Sequence, residues 1–265
     1  MVAADESQPS KDSGVVVEAL RASGSVFAED EATLLLAAAH DADDLATLLS
    51  RRLRGEPLEH LVGSVVFGDV TLKVGAGMFV PRQRSVQLAT LAVSKCRHRQ
   101  PATMLELCCG VAPLAATVER AAAAERVVAS DHDERCVAVA GHNLRTPYVF
   151  VGDLFDTIPQ TFRHGFDVIA VVPPYVPAGE AHLLAREARD YEPPDALYGG
   201  ADGLNVVRRI LADVAEWLAP GGTLLIEMHK AQAQAAIDFA AAADLAARSQ
   251  VAHDGHTCLL SICAR

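Results

Sequence analysis

A short apolar strand that ends in two prolines constrains the fold of this chain more than any other feature. Within FDVIAVVPPYVP (166–177), residues 168–172 are all apolar, and four of the five are β-branched. Such a run is typical of a strand buried on both faces of a parallel sheet. Pro173 and Pro174 can neither donate to a sheet ladder nor continue a helix. The chain therefore leaves the sheet abruptly and presents Tyr175 at the edge where open α/β sheets bind ligands.

Strands and helices alternate on both sides of this segment. TMLEL, RVVASD, VFVGDLF and TLLIEM are predicted strands, and helical patterns separate them. Near the end of the chain, two apolar runs flank Asp254-Gly255, which is a hairpin turn signal. This pattern predicts an α/β fold, a Rossmann-like doubly wound sheet with a terminal antiparallel hairpin.

The part of the chain before this sheet divides into three predicted segments. Residues 1–13 are polar and predict a disordered tail, and residues 14–63 show helical spacing and predict a small helical lobe. Residues 64–84 predict a β-hairpin linker with its turn at Gly68-Asp69, followed by an irregular apolar strand that ends at Pro81. Residues 85–265 form the predicted sheet domain.

Charge and cysteine usage narrow the possible partners. The net charge is −11 with no block of Lys or Arg, which disfavours a nucleic-acid partner. The six cysteines show no C-x-x-C spacing and no Cys/His cluster, so we expect reduced thiols and no metal site. No apolar run reaches membrane-spanning length, and the acidic N-terminus is unlike a signal peptide. These features predict a cytoplasmic protein with no membrane partner.

The segment MLELCCGVAPLAATV lies where a nucleotide-binding fold places its cofactor turn. Its one glycine, Gly110, is a weak signature. Asp131 ends the next strand and could accept hydrogen bonds from both ribose hydroxyls, and Asp153 could accept one from an exocyclic amine. Each aspartate could equally be a helix cap or a solvated loop residue. The absence of G-x-G-x-x-G argues against a nicotinamide cofactor, whereas Pro-Pro-Tyr and the terminal hairpin favour S-adenosylmethionine.

Seven segments together resemble one family, the protein-(glutamine-N5) methyltransferases that methylate release factors and related proteins. In chain order they are LEHLVGSVVFGDVTLKVGAGMFVPR, ELCCG, ASDHD, VGDLF, PPYVP, EARDYEPPDALYGGADGL and LAPGGTLLIE. The most specific is Glu-Pro-x-x-Ala-Leu-x-Gly-Gly-x-Asp-Gly-Leu at 192–204. The resemblance runs from about residue 50 to the end of the chain. It implies a class I methyltransferase fold with S-adenosylmethionine as the methyl donor and S-adenosylhomocysteine as the product.

The resemblance also implies which residues bind the cofactor. Glu106 and Gly110 match positions at the methionine end, Asp131 matches the ribose position, and Asp153 and Leu154 match the adenine position. Arg82 matches a Pro-Arg motif that precedes the sheet. The full predicted cofactor-binding set is Glu106, Cys108, Gly110, Asp131, His132, Asp153, Leu154 and Val171.

The chain departs from the family at the acceptor motif. The family has Asn-Pro-Pro-Tyr or Asn-Ala-Pro-Tyr, and here Val172 holds the Asn position. The resemblance implies that the Asn oxygen and a Pro carbonyl each accept one N–H of the substrate carboxamide. Val172 offers no acceptor, while the Pro173 carbonyl and the Tyr175 ring remain. Losing such an acceptor lowers rates by roughly a hundred- to a thousand-fold, which disfavours glutamine methylation.

Two other departures lie at the cofactor turn and after the last parallel strand. Cys108 and Ala112 occupy the outer positions of the family's three glycines. His229 follows Glu227 in a segment where the family has a glycine, and its imidazole could act as general base. A solvated histidine at a helix start is the alternative. The predicted catalytic residues are Tyr175, Pro173, Val172 and His229, with no metal.

Three hypotheses for the function follow. The preferred one is a methyltransferase whose acceptor is a small, apolar or aromatic molecule rather than a protein, as in secondary metabolism, with other alkyl transfers or a cyclisation as extensions. Tyr175, Val172 and the helical lobe would then form the acceptor wall. The second is a protein-(glutamine-N5) methyltransferase acting on a release factor or similar protein. The third is a catalytically silent binding protein, which predicts no affinity for the donor.

Overall fold

Helices form the N-terminal part of the chain, of which the computed structural model describes residues 11–264. The bounds of the lobe helices are α1 (Lys11–Ala22), α2 (Ala28–Ala38), α3 (Ala42–Leu53) and α4 (Leu58–Val62). They bury a core of their own around Leu20 and Leu35. Most of the predicted disordered tail, residues 1–10, lies outside the described residues, and α1 begins within its last three positions.

A two-stranded hairpin follows the lobe. Strands β1 (Ser64–Phe67) and β2 (Val70–Lys73) pair antiparallel around Gly68-Asp69, as the sequence predicts. The irregular strand predicted before Pro81 is wrong, because residues 75–82 have no strand partner. Backbone groups of this loop bond to side chains instead. The Met78 carbonyl lies 2.8 Å from His60 Nε2, and the Val80 amide donates to Glu192 Oε1 at 3.5 Å.

The central sheet has the order β5-β4-β3-β6-β7-β9-β8. Its strands are β3 (Thr103–Leu107), β4 (Arg126–Asp131), β5 (Val149–Val151), β6 (Phe166–Val171), β7 (Leu218–His229), β8 (Leu245–Val251) and β9 (Thr257–Ala264). Strands β3 to β7 pair parallel, and β9 runs antiparallel between β7 and β8. The doubly wound sheet with a terminal antiparallel hairpin is therefore confirmed.

Strand β6 lies between β3 and β7, and both of its faces are covered. Val168 and Ala170 belong to the core on one face, and Ile169 and Val171 belong to the core on the other. The first face is packed by α5 (Val86–Arg97), α6 (Pro113–Arg120) and α7 (Glu134–Asn143). The second is packed by α10 (Asn205–Asp213) and α11 (Ala233–Ala242). This double burial explains why the strand reads as an uninterrupted apolar run.

Two short helices lie in the crossover after β6, α8 (Arg186–Tyr191) and α9 (Pro194–Leu197). Throughout residues 11–264, no helix is long and apolar enough to cross a membrane. The six cysteines fall within the same described part of the chain, and each is a free thiol.

Candidate active site

The strand order reverses between β3 and β6, and a crevice opens at the carboxyl ends of these strands. In doubly wound sheets, ligands bind at this reversal. The crevice contains a cavity of about 450 Å³, within the usual range for small-molecule sites. Its lining comes from the ends of β3, β4 and β6, from the loop 79–85 and from the crossover that contains α9.

Most of the predicted site residues line this one cavity, although they come from distant parts of the sequence. From the cofactor-binding set these are Glu106, Cys108, Gly110, Asp131, His132, Asp153 and Leu154, and from the catalytic set Val172, Pro173 and Tyr175. The carboxyl ends of parallel strands meet at one edge of the sheet, which brings these residues together.

Two predicted residues lie elsewhere. Val171 is the last residue of β6 and is fully buried in the core, so the cavity lining begins one residue later, at Val172. His229 does not line the cavity. Its Nδ1 accepts a hydrogen bond from the Ala231 amide, and its ring stacks on His256. The general-base expectation is therefore corrected, and His229 caps the turn that leads into α11.

The turn between β3 and α6 has a backbone that favours glycine at three positions. Gly110 has φ of 52°, and the two neighbouring positions that lack glycine, Cys108 and Ala112, have φ of 49° and 63°. L-residues adopt this left-handed conformation only at an energetic cost. A Cβ added at Gly110 would meet no atom within 4 Å, which leaves open space over the turn. The backbone thus leaves a ligand room to approach despite the changed side chains.

Glu106 anchors the start of α6 from beneath the turn. Its Oε2 accepts from the Ala115 amide at 2.6 Å, and its Oε1 accepts from the Leu114 amide at 3.3 Å. Burial raises the pKa of Glu106 to about 8, and the two amides oppose this shift. The carboxyl group satisfies amides that a helix N-terminus leaves unpaired, and it lines the cavity at the same time.

Asp131 ends β4 and is fixed by backbone amides. Its Oδ2 accepts from the Gly110 amide at 2.8 Å, and its Oδ1 accepts from the Asp133 amide at 2.9 Å. A carboxylate oxygen has lone pairs for more than one donor, so both oxygens can still accept from a diol. His132 lies beside it and reaches Asp195 Oδ2 with its Nε2 at 2.8 Å.

Asp153 and Leu154 follow β5 on the same side of the cavity. Asp153 Oδ2 accepts from Arg209 Nη2 at 2.8 Å, and both side chains are exposed. Leu154 has φ of 52°, a third non-glycine residue in the left-handed region at this site. Such strained residues persist where the surrounding structure holds them, and they concentrate at binding sites.

The residues present fit S-adenosylmethionine. Asp131 would accept from the ribose hydroxyls, the open turn at Gly110 would leave room for the amino-acid end, and Asp153 would offer an acceptor to the adenine amine. Among residues 11–264, no group of three or more His, Cys, Asp or Glu side chains could hold a metal ion.

The loop after β6 is held by the motif at 192–204. The Val176 amide donates to the Leu197 carbonyl at 3.0 Å, and the Gly199 amide donates to the Val176 carbonyl at 2.9 Å. A Cβ at Gly199 would clash with the Pro174 carbonyl, and one at Gly203 would clash with the Tyr175 carbonyl. The glycines therefore allow the two loops to pack backbone to backbone, which fixes the direction of Pro173 and Tyr175.

The acceptor end is built differently from the prediction. None of the described residues of the helical lobe lines the cavity, which corrects the expectation that the lobe forms its wall. Phe67 of the hairpin and Phe79 of the following loop take that place. The lobe instead contacts the outer side of the crossover, where Arg52 Nη1 is 2.5 Å from Glu187 Oε1.

Sequence reasoning also missed Arg84, which lines the cavity and donates through Nη2 to the Tyr175 hydroxyl at 2.9 Å. Burial raises the pKa of Tyr175, and the nearby guanidinium opposes this shift. The sequence feature that could have revealed Arg84 is its position two residues after Arg82. Arg82 itself pairs with Glu192, and its Nη2 is 2.6 Å from Glu192 Oε2. Arg84 lies in a short 3-10 turn, Gln83–Ser85, that begins directly after Arg82 and brings both arginines to the cavity.

Comparison with known proteins gives consistent relatives. No family model matches the chain. The release factor glutamine methyltransferase of Gloeobacter violaceus is 34% identical over 206 residues, covering 75% of this chain and 71% of the relative. That of Thermodesulfovibrio yellowstonii is 31% identical, covering 75% and 73%. That of Mycolicibacterium smegmatis is 34% identical over 183 residues, covering 68% and 64%.

Solved structures support the fold. The ribosomal protein L11 methylase of Lactobacillus delbrueckii subsp. bulgaricus aligns with a TM-score of 0.51 at 14% identity, covering 69% of this chain and 80% of that one. The tRNA m1G37 methyltransferase of M. jannaschii aligns with a TM-score of 0.52 at 9% identity, covering 76% and 56%. These likenesses concern the class I fold alone. The sequence relatives show that the chain belongs to the release factor glutamine methyltransferase family and is an S-adenosylmethionine-dependent methyltransferase.

Proposed function

We propose that this enzyme transfers a methyl group from S-adenosylmethionine to a small molecule whose nucleophile is not a carboxamide, as in secondary metabolism. The observation that carries the proposal is Val172, a half-buried residue that lines the cavity directly before Pro173. It places an apolar side chain where the family resemblance implies a hydrogen-bond acceptor. The same cofactor and cavity would also allow the transfer of other alkyl groups or a cyclisation.

The need for an acceptor at Val172 depends on the nucleophile. S-adenosylmethionine supplies an electrophilic methyl carbon on a sulfonium sulfur. A carboxamide nitrogen is a poor nucleophile because its lone pair is delocalised, so acceptors must bind both of its N–H groups and hold the nitrogen in line with that carbon. An N–H buried against Val172 without a partner costs about 1–3 kcal/mol. An amine, thiolate or phenolate needs no such support.

The cavity residues position the acceptor and exclude water. Pro173 and Tyr175 line the cavity directly after β6, and Arg84 donates a hydrogen bond to the Tyr175 hydroxyl. Phe67, Phe79 and Pro81 supply apolar wall. Alignment of a nucleophile in a dry cleft lowers the barrier to transfer without an acid–base residue. This division of roles agrees with the position of His229 outside the cavity.

A release-factor glutamine is the second candidate acceptor. The comparisons support it better than a small-molecule acceptor, because relatives at 31–34% identity over about three quarters of this chain are release factor glutamine methyltransferases. The remaining Pro173 carbonyl could hold one N–H of the carboxamide. With this acceptor, Val172 would lower the rate of transfer, because one of the two N–H groups would lack a partner.

Peptide methylation separates the two candidates. The enzyme, Val172→Asn and the control Val172→Ala are incubated with S-adenosylmethionine and a Gly-Gly-Gln peptide, and methylated peptide is measured by mass spectrometry. We expect no methylated peptide from the wild type or Val172→Ala, and a gain of roughly a hundred-fold or more from Val172→Asn. Calorimetry with S-adenosylhomocysteine confirms that each variant retains the cofactor site. Efficient methylation by the wild type would establish the second candidate instead.

A further inference from the structure

Arg84 lines the cavity beside Tyr175, and among the described residues its nearest carboxylate lies beyond hydrogen-bond distance. Arg82 also lines the cavity, but its Nη2 lies 2.6 Å from both oxygens of the buried Glu192. The nearest carboxylate to Arg84 is Glu227, whose Oε1 lies 3.6 Å from Nε. The two arginines therefore differ, since the charge of the first is matched within hydrogen-bond distance and that of the second is not.

Glu227 pairs with Arg84 only at long range, through an oxygen that it shares with Ser85. It is completely buried, its Oε1 accepts the Ser85 hydroxyl at 3.0 Å, and its Oε2 has no hydrogen-bond partner among the described residues. Burial raises the pKa of Glu227, and the hydrogen bond from Ser85 and the charge of Arg84 oppose this shift. Asp254, in the exposed turn between β8 and β9, adds only a weaker, longer-range attraction to Arg84.

The guanidinium is accessible from the cavity. The Arg84 side chain is 42% exposed, and its one hydrogen bond to a described residue runs from Nη2 to the Tyr175 hydroxyl. Nη1 is left to bind a ligand. Apolar residues, among them Phe79, Pro81 and Leu197, line the same cavity. In such surroundings an ion pair between a guanidinium and an incoming anion is stronger than in open water.

We propose that Arg84 binds a carboxylate of the acceptor, so that the substrate is a small organic acid with an apolar or aromatic body. Arg84 has only a long ion pair with Glu227 and can bind one further negative charge, whereas Arg82 is already bound by Glu192 at hydrogen-bond distance. The carboxylate lies against Arg84 and Tyr175, and a separate atom of the acid is the nucleophile that faces Pro173. This inference rests on the proposed small-molecule function.

Calorimetry with matched acid and amide probes tests the assignment. The protein is saturated with S-adenosylhomocysteine and titrated with benzoate, 3-phenylpropanoate and hexanoate, each beside its own primary amide. We expect at least one acid to bind about tenfold or more tightly than its amide in the wild type. Arg84→Gln should abolish this preference. Arg97→Gln removes an exposed arginine outside the cavity and should retain it.

Glu227→Gln distinguishes an anion site from a structural ion pair. Because this change removes a competing carboxylate, acid binding should be as tight as in the wild type or tighter. Equal affinity for acids and amides, no binding of any acid while S-adenosylhomocysteine still binds, or a preference that survives Arg84→Gln would each overturn the assignment. Peptide methylation by the wild type would overturn the proposed function separately, because probe binding is measured without turnover.

Discussion

At the residue scale, the cofactor turn keeps a glycine-type backbone at Cys108 and Ala112 without the glycines. Both residues have φ near +50° to +60°, as Gly110 has between them. For an L-residue this conformation costs about 1–2 kcal/mol. The surrounding strands and α6 supply the packing that holds it, so the turn has retained its shape while its sequence has changed.

Comparing Cys108→Gly with Cys108→Ala isolates that strain. At an ordinary position alanine is more stable than glycine by about 0.5–1 kcal/mol, because glycine gains more freedom on unfolding. At φ of 49° we expect the reverse order, with Cys108→Gly more stable than Cys108→Ala by about 1 kcal/mol. Denaturant unfolding of both variants measures the difference. If Cys108→Ala is instead the more stable variant, the backbone of the turn relaxes to accommodate a side chain.

The same scale shows which site residues a sequence can reveal. Glu106 and Asp131 were predictable because each ends or nearly ends a recognisable strand. Val171 was misplaced by one residue, since the apolar run does not mark where β6 leaves the core. His229 was misplaced because β7 continues to it, paired with Thr257 of β9, and this end of the strand lies outside the cavity lining. Arg84 was missed because its partner Tyr175 is 91 residues away.

At the scale of elements, the site depends on two loops that pack through backbone atoms. The segment 173–176 after β6 and the glycines of the motif at 192–204 approach too closely for a Cβ between them. The motif was the most specific part of the sequence, yet its physical role was not visible there. Likewise, the loop 75–82 resembles a strand in sequence, but its backbone bonds to side chains of distant residues.

Gly203→Ala should disturb this packing, and Gly255→Ala provides the matched control. Both glycines have similar φ, 77° and 73°, so both variants carry the same backbone strain. A Cβ at Gly203 would meet the Tyr175 carbonyl, whereas one at Gly255 would meet no atom within 4 Å. We expect Gly203→Ala to lower the free energy of unfolding by about 1–3 kcal/mol more than the control. Equal losses in denaturant unfolding would mean that the loops separate easily.

At the scale of the whole molecule, the helical lobe is attached to the catalytic part without forming its cavity. Arg52 of α3 is central to this attachment. Its Nε lies 2.7 Å from Glu31 Oε2 in α2, and its Nη1 lies 2.5 Å from Glu187 Oε1 in α8. Burial lowers the pKa of Arg52, but its hydrogen bond to Glu31 outweighs burial, so the net pKa is raised. The ion pairs thus join the lobe to the crossover that carries α9.

Arg52→Ala should therefore lower the free energy of unfolding and leave the affinity for the cofactor unchanged. The change leaves the mostly buried Glu31 carboxylate without its partner, and breaking such a pair costs about 3 kcal/mol. Arg51→Ala, which removes a more exposed pair with Glu56 inside the lobe, should cost less than about 1 kcal/mol. Denaturant unfolding measures both values, and calorimetry with S-adenosylhomocysteine should give the wild-type affinity for both variants. If Arg52→Ala folds but has lost cofactor affinity, the lobe shapes the cavity through the crossover and does more than stabilise the protein.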